Sequence, residues 1–309
     1  MKWEAVTSEP DMLGESPFWH PGEKMLYWVD IPARLIKRLA PQSPDDVQTW
    51  QMPSEPGCIA PLATGGLVIA LRDGIYRSNE WGQPPELLVH IDHDTSKFRF
   101  NDGKADPAGR FWAGTIYEPR DEHSAQLYCF DLRADNGNDG WPLVNVMARD
   151  AVTSNGLAWS PNAKTLYWSD TPQHIIHAWS WDAPANAMSH HRVFRQFAAK
   201  PEGWKAGMPG YAGRPDGAAV DERGNYWCAM FEGQRLCKLS PGGELLAEIE
   251  VPVQCPTMPC FGGDDLRTLY VTSARDKRPA DELIRFPLSG HVIATRVDVP
   301  GLPVNFVRA

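Results

Sequence analysis

The sequence predicts an all-β fold, a six-bladed β-propeller occupying residues 1–309 as one domain, on three observations. First, one phrase recurs six times, at intervals of about 40 to 60 residues. The clear copies are GESPFWHPGEKMLYWVD from Gly14, NDGKADPAGRFWAGT from Asn101, NGLAWSPNAKTLYWSD from Asn155 and DGAAVDERGNYWCAM from Asp216; weaker ones begin at Gly57 and Thr257. Second, each copy alternates Gly/Pro-rich turns with short aromatic and β-branched runs, the signature of small hairpin-connected strands. Third, no segment sustains a helical period, which argues against an α/β barrel with its ring of helices. A two-sheet sandwich would not accommodate six like units.

The elements follow in order. After turns reading HPGEK, ATGG, DPAG, SPNAK, DERG and GGDD come the strands Met25–Trp28, Gly66–Leu71, Arg110–Gly114, Thr165–Trp168, Asn225–Met230 and Thr268–Thr272. A further strand is expected after each: Leu35–Leu39, Ile75–Arg77, Leu127–Phe130, Ile175–Trp179, Arg235–Leu239 and Leu283–Phe286. Roughly 50 residues per unit exceeds a compact blade of about 40 to 45, so loops carry the excess. Two stand out: Ala134–Trp141 and the Gly/Pro-rich stretch Gln196–Pro215, which runs into Asp216 and is placed to cover a site.

Composition narrows the function. Net charge is −9 with no basic run, so a nucleic-acid partner is not expected, and the overall field favours neutral or cationic ligands over anions. The N-terminus shows no signal-peptide core and no run is long enough to span a membrane. Six irregularly spaced Cys without a CxxC pair suggest buried reduced thiols and a cytoplasmic location. A monomer or weak homo-oligomer is expected.

In a propeller, residues at one point of each repeat converge around a central channel. Glu15, Asn155 and Asp216 lead three of the six phrases. Two carboxylates and an amide oxygen form a hard donor set that suits one divalent cation: Ca, Mg or Mn, and also Zn or Fe. Singly, Asn155-Gly156 and Asp216-Gly217 read as turn dipeptides; jointly they point to a site. The third repeat adds Arg99, Asn101 and Asp102 in FRFND. The Arg99 fork and the Asn101 amide suit hydroxyl groups, although Arg99 could instead pair with a carboxylate and Asp102-Gly103 could form a turn. HExxH, GxSxG, GxGxxG and P-loop patterns are absent.

At these residues the chain resembles the family of senescence marker protein (regucalcin), gluconolactonase and luciferin-regenerating enzyme. The matching phrases are LGESPFW, RFNDGKADPAGRFWAGT, SNGLAWSP and PDGAAVDERGNYW. The resemblance implies a six-bladed propeller that hydrolyses sugar-acid lactones with one channel-bound divalent metal. It implies that Glu15, Asn155 and Asp216 are metal ligands, that Asp216 is also the catalytic acid/base, and that Arg99 and Asn101 bind substrate hydroxyls. Glu118, in GTIYEPRDE, corresponds to a substrate-contacting Glu of mammalian members; the Pro119 after it bears on which sugar is bound. Two other readings remain: a hydrolase of phosphotriesters or non-sugar lactones on the same scaffold, or a non-enzymatic calcium-binding protein. Side-by-side assays of an aldonolactone and a phosphotriester separate the first, and metal binding without turnover identifies the second.

Overall fold

The computed structural model describes residues 1–43, 45–133, 138–139 and 141–309. The chain is a six-bladed β-propeller of six four-stranded sheets with almost no helix. The innermost strands are Gly14–His20, Cys58–Pro61, Phe98–Ala105, Ser154–Trp159, Arg214–Val220 and Pro256–Gly262. In the first five sheets the next three strands follow outward in chain order, each antiparallel to its neighbour. The sixth sheet takes its outermost strand from the N-terminus, where Glu4–Ala5 pairs with Ile293–Arg296. That pairing ties the ends of the chain together and closes the ring, which would otherwise splay between its first and last blades.

The recurrent phrase builds the blade. Trp28, Trp112, Trp168 and Trp227 occupy second strands and are almost wholly buried. Each such side chain contributes about 1.5–3 kcal/mol by leaving water, but its buried indole N–H needs an acceptor. Trp112 Nε1 donates to Asp106 Oδ2 at 2.9 Å and Trp227 Nε1 to Asp221 Oδ2 at 3.0 Å. Both aspartates also shape the preceding turn: Asp106 Oδ1 accepts the N–H of Ala108 and Arg110, and Asp221 Oδ1 those of Arg223 and Asn225. Gly109 and Gly224 supply the left-handed residues there, with φ of 89° and 81°. DPAGRFW and DERGNYW therefore encode turn, strand and indole acceptor together.

The expected strands of the first five repeats form within a few residues of their anticipated bounds. The exception is Leu283–Phe286, which belongs to a short helix, Ala280–Arg285; the third strand of the sixth blade is Ile293–Arg296. Pro279 at the N-cap, Asp281 and Glu282 in the first turn, Arg285 in the last and an Arg278–Glu282 ion pair all favour helix over strand. Of the two long loops, most of Ala134–Trp141 lies outside the described residues. Gln196–Pro215 is shorter than expected, since Gln196 ends one strand and Arg214 begins the next. Between them Trp204 and Tyr211 pack inward, each 9 % exposed.

The chain's last residues cross the far end of the channel. Leu302 N bonds Val220 O in the fifth blade, Val307 N bonds Pro61 O in the second, and Arg308 N bonds Gly109 O in the third. Above this strap lies a largely apolar cavity of ≈270 Å³, lined by residues such as Phe18, Ala158 and Met258. Lys104 of the third blade reaches across the channel to the Ala218 carbonyl of the fifth. The residues leading the phrases lie at the opposite ends of the inner strands, away from the strap.

Candidate active site

Five of the six inner strands carry a β-bulge at one level; the second blade's strand pairs without one. In each bulge two residues oppose one: Ser16-Pro17, Asn101-Asp102, Gly156-Leu157, Asp216-Gly217 and Thr257-Met258. Bulges re-aim side chains, and here they stack five such kinks around one channel. The three phrase leaders are not strictly equivalent. Glu15 and Asn155 stay on the ladder, opposite Val29 and Ser169, one residue before their bulges, whereas Asp216 is the first bulged residue of its strand. In register, Asp216 matches Asn101.

This geometry replaces the turn reading of the Asn-Gly and Asp-Gly pairs, since all three sit within strands. The glycines permit close approach of neighbouring blades. A Cβ on Gly217 would fall 2.5 Å from Met258 Cβ and 2.9 Å from Thr257 O, and one on Gly156 would fall 2.4 Å from the Tyr226 hydroxyl.

Glu15, Asp102, Asn155 and Asp216 are all at most 6 % exposed. Asn155 is clamped: its Nδ2 donates to Thr171 Oγ1 at 2.8 Å and its Oδ1 accepts Asn101 Nδ2 at 2.9 Å. The carboxylates are not. Glu15 accepts only the N–H of Ser16, at 3.4 Å, and the Asp216 carboxylate accepts no hydrogen bond among the described residues. Asp102 Oδ2 accepts Leu157 N, while its Oδ1 is buried without a well-formed hydrogen bond among the described residues, the backbone N–H groups of Gly103 and Gly156 only favouring its ionised form. Burial first, and then the charges of Asp216 and Asp102, hold the Glu15 carboxyl well above its usual range. Asp216 is pushed up to about 8, chiefly by burial and then by Asp102, against the opposing pull of Arg214, Arg120 and Arg99. Burial also raises Asp102, with Lys104 pulling it down.

Buried carboxylates short of donors cost several kcal/mol unless a cation compensates them, so Glu15 and Asp216 with the Asn155 oxygen fit a hard divalent ion. No cluster of three or more His, Cys, Asp and Glu in metal-binding reach exists among the described residues. The fit therefore requires the Asn155 amide as third protein donor.

Arg99 is buried, and its Nη1 donates to Phe100 O and Asn101 Oδ1, each at 2.9 Å. Burial lowers its pKa and the Glu118 charge partly restores it. Asn101 spends its second donor on Ser154 O at 2.9 Å, so both its N–H bonds serve the protein and only its oxygen keeps a lone pair free. Glu118 sits at the rim, tying Arg72 (2.9 Å) to Arg99 (3.5 Å). The arginine–carboxylate pairing open in the sequence is thus made with Glu118. Sequence reading missed Arg120 and Arg214, whose charges both act on Asp216. The one available signal was the RPDG phrase, with Arg214 two residues before Asp216.

A six-bladed propeller with oxygen donors buried at the mouth of its channel defines a class of channel-site propeller proteins. Residues 13–275 match the family model described as SMP-30/Gluconolactonase/LRE-like region. The chain is 45% identical over 298 residues to the 6-deoxy-6-sulfogluconolactonase of Pseudomonas putida, covering 96% of each. It is 32% identical to regucalcin of Xenopus laevis, covering 94% of this chain and 93% of that one. Among solved structures it superposes on a luciferin-regenerating enzyme with a TM-score of 0.85 at 29% identity, covering 100% of this chain and 99% of that one. The chain belongs to the SMP-30/gluconolactonase/LRE-like family, and it is an enzyme of that family's lactonase class.

Proposed function

We propose that this chain hydrolyses the lactone of a sugar acid to the open-chain acid at the Glu15–Asn155–Asp216 site. The observation that carries this reading is the pair of buried carboxylates, Glu15 and Asp216, left without adequate donors beside a clamped amide oxygen. The relative named for a sulfonated gluconolactone supports a sugar-acid lactone as substrate class.

A divalent cation held by Glu15, Asn155 and Asp216 would supply Lewis-acid polarisation of the ester carbonyl. Asp216 takes a proton from the attacking water, whose oxygen bonds to the carbonyl carbon. It then returns the proton to the ring oxygen as the ring C–O bond breaks, leaving a hydroxyl on the chain and a free carboxylic acid. Asn101 holds Asn155 in register, and Arg99 presents its remaining N–H groups to substrate hydroxyls. The six cysteines, all free and buried, support a reducing cytoplasmic setting.

The test is a panel of aldonolactones assayed after chelation and reloading with Ca, Mg, Mn, Zn or Fe(II) singly. Turnover that disappears on chelation and returns with one metal supports the proposal. Undiminished turnover in the chelated protein refutes the metal's role, and cation binding without turnover on any lactone refutes hydrolysis.

A further inference from the structure

Two turns at the channel mouth support the site from outside. Asp170 pairs with Ser154, the neighbour of Asn155, and the chain then turns through residues 171–174. Thr171 Oγ1 accepts Asn155 Nδ2 at 2.8 Å. The Thr171 backbone donates to Thr153 O at 3.3 Å and accepts the His174 N–H at 3.1 Å. In the fifth blade Phe231 pairs with Arg214, two residues before Asp216, and the chain then turns through Glu232. Two of the three proposed cation donors therefore stand beside these turns.

The connection 197–213 grips both. At its start Phe197 N donates to His174 O at 2.8 Å, and Gln196 Nε2 reaches Gln173 O and His174 O at 3.0 and 3.1 Å. Near its end the Tyr211 hydroxyl lies 2.7 Å from His174 Nε2. The other ring nitrogen fixes the direction of that bond. His174 Nδ1 lies 3.0 Å from Pro172 O, and a carbonyl only accepts, so Nδ1 carries the proton and Nε2 takes the Tyr211 O–H. Burial lowers the pKa of His174 and keeps the ring neutral. On the fifth blade Lys200 Nζ meets Glu232 at 2.9 Å, where Arg214 also arrives at 3.0 Å. Gly213, at φ 87°, packs on the same turn: a Cβ there would fall 2.7 Å from Gly233 Cα.

Between these anchors the segment packs on itself. Trp204 meets Tyr211 edge-on at 5.0 Å and lies 4.9 Å beneath Lys200, and its Nε1 donates to Met208 O at 2.8 Å. A lid belongs to the weakly tied parts of a fold. This segment is tied at both ends to one turn and along its length to another. Loss of the Tyr211 hydroxyl would leave a buried imidazole nitrogen without its donor and loosen the turn that seats Thr171.

We propose that the connection 197–213 is a fixed brace rather than a lid, with Tyr211 as a positioning residue. Through His174 it holds the turn that carries Thr171, and so keeps the Asn155 oxygen aimed at the cation. Its effect on turnover rests on the lactonase reading; its effect on cation binding does not.

The test is calorimetric titration with Ca and with Mn of metal-free wild type, Tyr211→Phe, Thr171→Val and the double variant. Thr171→Val removes the acceptor of Asn155 and should raise Kd about 10–100-fold, while Thr171→Ser, which keeps the hydroxyl, should stay within about threefold of wild type. Tyr211→Phe acts further out and should raise Kd about 3–10-fold. In the Thr171→Val background the same change should move Kd by less than about twofold, because its route to Asn155 is already cut. An unchanged Kd in Tyr211→Phe overturns the proposal. So does an equal loss in both backgrounds, which marks Tyr211 as general support for the fold, or a wild type that binds neither cation.

With gluconolactone, the Tyr211→Phe deficit should appear at limiting cation and largely vanish at saturating cation. A deficit that saturation leaves intact overturns the route through the cation. If wild type opens no lactone while the titrations follow the expected pattern, the lactonase reading fails and the brace stands.

Discussion

Asn101 Nδ2 donates to Asn155 Oδ1 at 2.9 Å across the boundary between the third and fourth blades. This bond orients the one neutral donor of the site, and Arg99 in turn holds the Asn101 oxygen. Groups one step removed from a metal typically set its affinity by about 10–100-fold. Asn101→Ala should weaken metal binding by about that factor in a calorimetric titration. It should also cost about 1–3 kcal/mol of stability by leaving the Ser154 carbonyl unsatisfied. Unchanged metal affinity would mean that Asn155 is oriented by Thr171 alone.

Asp216→Asn removes the proton acceptor and one charged ligand while keeping shape. Turnover of the preferred lactone should fall by at least about 10²–10⁴. Because burial already holds this carboxyl near its neutral form, pushed up to about 8, the metal-free variant should melt no lower than metal-free wild type. A steep loss of thermal stability would show that Asp216 has a structural partner in the fold.

Cation loading should release protons. Near pH 7 the metal-free protein holds a proton on Asp216, pushed up to about 8, and burial raises the Glu15 carboxyl as well, whereas a bound cation requires the ionised forms. Titrations in buffers of different ionisation enthalpy should show release that declines as pH rises above about 8. At a free cation concentration of 100 Kd the fold should gain about 2.7 kcal/mol, visible as a higher Tm. Loading without proton release would place the cation elsewhere.

Acid stability should depend on the outer face of the fourth blade. His177 is pulled down to about 4, first by burial and then by His191, whose Nε2 lies 3.0 Å from its Nδ1. The unfolded chain, with His177 at its usual 6.5, binds the proton more readily than the native one. The contribution is therefore present above pH 6.5 and is lost as pH falls toward 4. His177→Gln should flatten chemical-denaturation stability across that window. The same slope in variant and wild type would assign the acid loss to other groups.

Much of this molecule was legible in one chain. The turns DPAG and DERG, followed by Phe111-Trp112 and Tyr226-Trp227, state their own structure, because Asp, Gly and Trp each meet a requirement within a few residues. Leu283–Phe286 misled because a short apolar run has no period of its own, and Pro279 with Arg278–Glu282 decided for helix. The leaders Glu15, Asn155 and Asp216 were visible as oxygen donors, but Asn-Gly and Asp-Gly pairs look alike in turns and in bulges. The one-residue offset of Asp216 depends on cross-strand register, which no local pattern records.

By itself the sequence determined the repeat, the six blades and the residues that lead them, since hairpin turns and strand alternation are local physics. Tertiary structure alone decided that Glu4–Ala5 closes the ring, that Asn101 serves Asn155, and that the charges of Arg120 and Arg214 bear on Asp216. Those relations join positions tens to hundreds of residues apart. They follow from ring closure, which brings six strand ends to one mouth, and from burial, which makes each charge there felt by all the others.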